Sequence, residues 1–124
     1  MLKITNTSKA PAAIGPYSQA ITLNNILFTS GQIPVNPETG EIVGNDITLQ
    51  AEQVMKNIGA ILEKAGTGFE KAAKTTCFLS DMEDFAKFNE VYAKYFVTKP
   101  ARSCVAVKTL PKNVLCEVEV IAEI

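Results

Sequence analysis

Two short stretches carry side chains able to act on a small anion: KPARSCVAV, residues 99–107, and VLCEVEV, residues 114–120. Arg102 stands at the mouth of an otherwise apolar run, permanently charged, with a planar fork of donors that fits a carboxylate or a phosphate. Glu117 and Glu119 alternate with valines in the second stretch, which places both on one side of a strand. Two roles are open to this set. Arginine and glutamate can close a cross-strand ion pair, worth under ~1 kcal/mol if exposed. Alternatively, the arginine holds a carboxylate-bearing ligand while a glutamate beside it orients a water. Cys104 reads as a wall of such a site rather than a nucleophile, because the chain has no histidine to lower its pKa. Cys77 reads as core. Tyr17 and Ser30 border the glycine turns at Gly15-Pro16 and Gly31, where backbone N–H groups are free to point at a ligand.

The chemistry is narrowed by what the sequence lacks. Its 124 residues include no histidine and no tryptophan. That removes the Ser-His-Asp triad, the Cys-His pair, the HExxH zinc site and any histidine acid or base. No GxGxxG or GxxxxGK stretch offers a nucleotide cradle. Any catalysis is left to carboxylates, Tyr, Lys, Cys, Arg, backbone donors and water, which points to an easy reaction or to none. Twelve basic residues against thirteen acidic ones give a formal net charge of −1 with no Lys/Arg cluster, a weak case for nucleic-acid binding. No apolar run approaches the ~20 residues of a membrane helix, and MLKITNTSKAPAA lacks the apolar segment of a secretory signal. Cys77, Cys104 and Cys116 form no CxxC pair, which predicts free thiols and a cytoplasmic protein.

The elements that must position these residues are legible as alternation and periodicity. Short strands are predicted at residues 2–5, 17–22 and 26–30, the last two joined around Asn24-Asn25. PVNPETGEIVGND is a turn-rich surface excursion. Val54, Ile58, Ile61, Leu62 and Ala65 form one stripe of a helix over 48–65, with Asp46 or Thr48 as cap and Gly66 as stop. Gly59 inside it predicts close packing. Residues 71–80 read as a strand, and a second helix from Asp81 carries Phe85, Phe88, Tyr92 and Phe96 as a core-facing stripe. Strands at 102–108 and 114–122 flank TLPKN and are expected to pair as an antiparallel hairpin. Setting their valines on one face puts Arg102, Cys104, Glu117 and Glu119 together on the other. The helices then cover the valine face, and a partner subunit is expected over the Arg/Cys/Glu face. The class is α+β, in a single domain over residues 1–124.

APAAIGPYSQA (10–20), LFTSGQIPVNPETGEIVGNDI (27–47), FNEVYAKYF (88–96) and PARSCVAVKTLPKNVLCEVEVIA (100–122) together resemble the Rid family, the reactive-intermediate deaminases or YjgF proteins, in its RidA-like branch. The resemblance implies a chorismate-mutase-like fold: a mixed β-sheet of about six strands with two helices packed on one face, assembled as a homotrimer with clefts between subunits. It implies hydrolysis of 2-iminobutanoate and 2-iminopropanoate to 2-keto acids and ammonia, with no cofactor and no metal. Arg102 would grip the substrate carboxylate, and Glu117 would polarise the attacking water. Cys104 and Gly31 would lend backbone groups, while Tyr17, Ser30 and Asn89 would line the cleft. Glu119 is expected to steady the fork of Arg102. Ala106 and Cys116 depart from the family pattern beside the motif without belonging to its reactive set. The competing readings are a non-catalytic trimer that binds small carboxylates for regulation, a ribonuclease or translation inhibitor, and a holdase.

Overall fold

The computed structural model describes residues 1–124. Its elements run in the order β1 (Leu2–Thr5), β2 (Ala20–Leu23), β3 (Ile26–Thr29), α1 (Ile47–Lys64), β4 (Ala72–Leu79), α2 (Phe85–Tyr95), β5 (Ala101–Ala106) and β6 (Cys116–Glu123). Each of the eight elements expected from the sequence is present, with ends shifted by a few residues.

Local chemistry explains the boundaries. Asp46 caps α1, its carboxylate accepting the Leu49 N–H at 3.1 Å, and Gly66 follows the helix at φ +86°, a conformation that suits glycine. Val54, Ile58, Ile61 and Leu62 are buried along one stripe of that helix. Gly59 is where Phe69 closes in: an added Cβ would meet the Phe69 ring at 3.1 Å. At the β2–β3 turn Asn24 adopts φ +56°, as the Asn-Asn pair allows. No helix is long and apolar enough to cross a membrane.

The six strands form one mixed sheet in the order β1-β2-β3-β6-β4-β5. Here the structure corrects the expected hairpin. β5 does not touch β6; it pairs in parallel with β4, and β6 lies antiparallel between β3 and β4. The reason is the connection: β4 reaches β5 through α2, and a crossover helix joins parallel neighbours. The segment after β5 then crosses the end of β4, anchored by buried Leu110 and Val114, with Lys112 and Asn113 both in left-handed backbone.

Register decides the faces. Arg102 lies level with Thr75 and Val120, and Cys104 with Cys77 and Val118. Level residues on neighbouring strands point to the same side, so Arg102 and Cys104 share the face of the buried β6 valines, under the helices. Glu117 is level with Phe78 and Val105, and Glu119 with Thr76 and Ser103, on the opposite face. The expected single Arg/Cys/Glu face is therefore split by the sheet itself. The parity of β5 is the reverse of that expected, because Val105 turns away from the core and is 47% exposed.

The core lies between sheet and helices and includes Met55, Ile58, Leu62, Phe88, Val118 and Val120. The other face of the sheet has no second layer. Ile4, Ile21, Phe28 and Ile121 form a level row across it, and Leu2, Leu23 and Ile26 form another. Leu2, Ile4, Leu23, Ile26 and Phe28 are between 40% and 63% exposed. Apolar area on this scale marks a surface meant to be covered.

Candidate active site

Glu117 projects from the central strand toward a loop that the sheet holds close. Gln32 and Val118 exchange backbone hydrogen bonds, Gln32 N–H to Val118 O at 2.8 Å and Val118 N–H to Gln32 O at 3.1 Å. That bridge presses Gly31 against the Glu117 carboxylate so tightly that a Cβ on residue 31 would overlap it. Ser30 is fixed twice, its N–H donating to Gln19 O at 2.8 Å and its hydroxyl to Ser18 O at 2.6 Å. Tyr17 is half exposed above them. Tyr17, Ser30, Gly31, Glu117 and Glu119 line a cavity of about 960 Å³ that also takes in Lys112. Burial pushes the Glu117 carboxyl above the ordinary glutamate range, and the neighbouring Glu119 charge adds to the rise. A carboxyl in that condition can take a proton from water and return it.

Arg102 sits elsewhere, on the edge strand under α2. Its Nη1 donates to Asn89 Oδ1 at 2.7 Å, and its Cζ lies 4.7 Å from the centre of the Tyr92 ring and 5.4 Å from that of Phe85. Arg102, Asn89, Tyr92 and Lys99 line a smaller cavity of about 300 Å³. Cys104, half-buried, has its thiol pKa raised by burial, partly offset by the Arg102 charge, which keeps it protonated and unreactive. Cys77, pushed up to about 12 chiefly by burial, is core as expected.

Within one chain, then, the expected site residues fall into two clusters. Tyr17, Ser30, Gly31 and Glu117 are together; Arg102, Asn89 and Cys104 are together; the sheet separates the two. Glu119 does not hold the fork of Arg102, since it lies on the other face and the guanidinium is bonded to an amide instead. The cross-strand ion pair is likewise absent: the chain's salt bridge joins Lys94 to Glu52, between the helices. Sequence reasoning missed the rings of Phe85 and Tyr92 as neighbours of Arg102, although the 85, 89, 92 spacing sets both on the helix face of Asn89. It also missed Gln19, buried, whose amide accepts from Thr7 N–H at 2.7 Å and donates to Pro11 O at 2.8 Å, pinning the segment that leads to Tyr17.

A family model described as Endoribonuclease L-PSP matches residues 7–124. A candidate regulator of Lactococcus lactis, AldR, is 58% identical over 99% of this chain and 98% of its own length. The chloroplastic Reactive Intermediate Deaminase A of Arabidopsis thaliana is 49% identical over 97% of this chain and 65% of its own. Among solved structures, E. coli TdcF with bound serine superposes with a TM-score of 0.94 at 47% identity, covering 98% of each chain.

Proposed function

The chain belongs to the Rid family, the reactive-intermediate deaminases or YjgF proteins, and from that membership we propose that it hydrolyses 2-imino acids to 2-keto acids and ammonia. The observation that carries the reading is the pair of half-sites: a guanidinium with no carboxylate partner, and a half-buried carboxyl with a raised pKa. The first suits a small carboxylate, the second a water. Serine bound to TdcF supports a ligand of this size and charge. The substrates proposed are 2-iminobutanoate and 2-iminopropanoate.

The two halves meet between subunits. Three copies pack their uncovered sheet faces together, and each cleft takes Arg102, Asn89 and Cys104 from one copy and Tyr17, Ser30, Gly31 and Glu117 from the next. The exposed rows of Leu2, Ile4, Ile26 and Phe28 support this assembly, as does the separation of the two clusters within a chain. A protonated imine R–C(=NH2⁺)–COO⁻ is held through its carboxylate by Arg102. Water attacks the imine carbon as Glu117 accepts its proton. Glu117 then passes that proton to the amine nitrogen, the C–N bond breaks, and loss of the hydroxyl proton to ammonia leaves the keto acid and ammonium. Positioning and placed charge supply most of the acceleration, because an imine is already open to water. The chain needs neither a cofactor nor a metal for these steps, and the cytoplasm is the proposed compartment.

Keto-acid release from freshly generated 2-iminobutanoate, in competition with semicarbazide, tests the reading. Wild type is expected to accelerate release, and Arg102→Ala and Glu117→Gln are each expected to lose about 100-fold or more. A variant that keeps most of the rate removes that residue from the reaction. The similarity to AldR supports one second reading, a regulator that binds small carboxylates in the same clefts; saturable binding without turnover would favour it. The endoribonuclease description of the family model fits poorly with a formal net charge of −1 and no histidine, because RNA binding leans on cationic surface.

A further inference from the structure

The aromatic stripe of α2 serves two neighbours. Phe88, Tyr92 and Phe96 are buried in the core, as expected, with Phe85 packed against it, and the rings of Phe85 and Tyr92 also face Arg102. Asn89 lies between them on the same helix face, its Oδ1 accepting from Nη1 at 2.7 Å. Tyr92 is itself locked. Its hydroxyl shares a 2.7 Å hydrogen bond with Thr75 Oγ1, and its ring stacks on Phe96 with centroids 4.6 Å apart. Thr75 is fully buried and is the register neighbour of Arg102 on β4. Every group that touches the guanidinium in this set is neutral.

That neutrality has chemical content. A carboxylate would hold an arginine firmly but would also occupy its fork and compete with an incoming carboxylate. Aromatic faces attract the cation without offering it an anionic oxygen. A single amide acceptor fixes the rotation of the fork and leaves its remaining N–H donors free.

We propose that Phe85 and Tyr92, the latter locked by Thr75, are positioning residues that hold Arg102 aligned and unneutralised so that its free edge receives the substrate carboxylate. This rests on the reading of Arg102 as the carboxylate receptor, and the two claims separate experimentally. The probes are 2-oxobutanoate, the keto-acid product, and its neutral analogue 2-oxobutanamide, titrated against the full-length protein. The ratio of their dissociation constants reports the state of the guanidinium; a general loosening of the cleft weakens both ligands alike.

Phe85→Leu and Tyr92→Leu are each expected to weaken 2-oxobutanoate by about tenfold while leaving 2-oxobutanamide nearly unchanged. Tyr92→Phe keeps the ring and loses only the Thr75 bond, so it is expected to lose about twofold and to recover most of what Tyr92→Leu lost. Should Tyr92→Leu fail to fold, half-buried Phe85 and the Tyr92→Phe variant carry the test. Arg102→Ala is the control. If it weakens only the carboxylate while the ring variants weaken both ligands equally or neither, the cradle is overturned and the receptor stands. If Arg102→Ala leaves 2-oxobutanoate binding intact, the receptor reading falls and the cradle with it.

Discussion

Burial disfavours the charged form of Glu117 most, and repulsion from Glu119 adds to the effect. Neutralising the neighbour leaves burial alone, so Glu119→Gln is expected to move the acid limb of the pH dependence of kcat/KM to lower pH. An unmoved limb would mean that another group titrates. The same shift carries a sign for stability. A carboxyl with a raised folded-state pKa binds its proton more tightly folded than unfolded, so the stability it lends is present below the ordinary glutamate pKa and is lost as pH rises through the raised value. Glu117→Gln stays neutral throughout. It is expected to melt no lower than wild type at neutral pH while losing turnover; a clear drop in Tm would show that the ionised carboxylate is stabilising. Gly31 makes the complementary case. Its backbone lies outside the left-handed region, so alanine is allowed there by conformation and excluded only by the Glu117 carboxylate. Gly31→Ala is expected to lower kcat by about tenfold or more through displacement of that carboxylate, with Tm changed little.

The elements were legible where a residue type has one local use. Asp46 capped α1, Gly66 ended it, Asn24 took the turn, and the 54, 58, 61, 62 stripe was buried. Pairing was misread because it is a non-local property. The short spacing of β5 and β6 suggested a hairpin, whereas the helix between β4 and β5 is long enough to let those two pair in parallel. The face of β5 was misread because its covered side is less apolar than its open side: aromatic rings over that edge accommodate an arginine, which a rule that buries valines does not anticipate. The candidate site was legible as a set of residues and not as an arrangement. The excursion after β3 adds a further contact that periodicity could not show. Asn57, fully buried on α1, donates to Ile33 O at 3.1 Å and Val35 O at 3.0 Å, tying one wall of the larger cavity to the helix. Asn57→Ala orphans those carbonyls and is expected to cost about 1–3 kcal/mol. The measurements are Tm and hydrogen exchange of the Asn36 and Val43 amides, which bond within the excursion. Unchanged exchange there would show that the loop holds itself.

At the scale of the molecule, the proposed assembly makes the uncovered face of the sheet the feature on which both trimer formation and turnover depend. Phe28 stands in the middle of its level row, so Phe28→Asp is expected to leave each chain folded by circular dichroism while sedimentation falls from three chain masses to one and turnover is lost. An active monomer would end the shared-cleft account. The sheet that parts Arg102 from Glu117 has one more consequence, and it belongs to genetics. Two dead alleles need not make a dead mixture. Chains carrying Arg102→Ala still own a sound Glu117, and chains carrying Glu117→Gln still own a sound Arg102. Co-refolded in equal amounts and assembled at random into the proposed shared-cleft trimer, they are expected to restore an intact pair wherever one kind follows the other in the right order, in about one cleft in four. Intragenic complementation at that level would come from chains that are each inert alone.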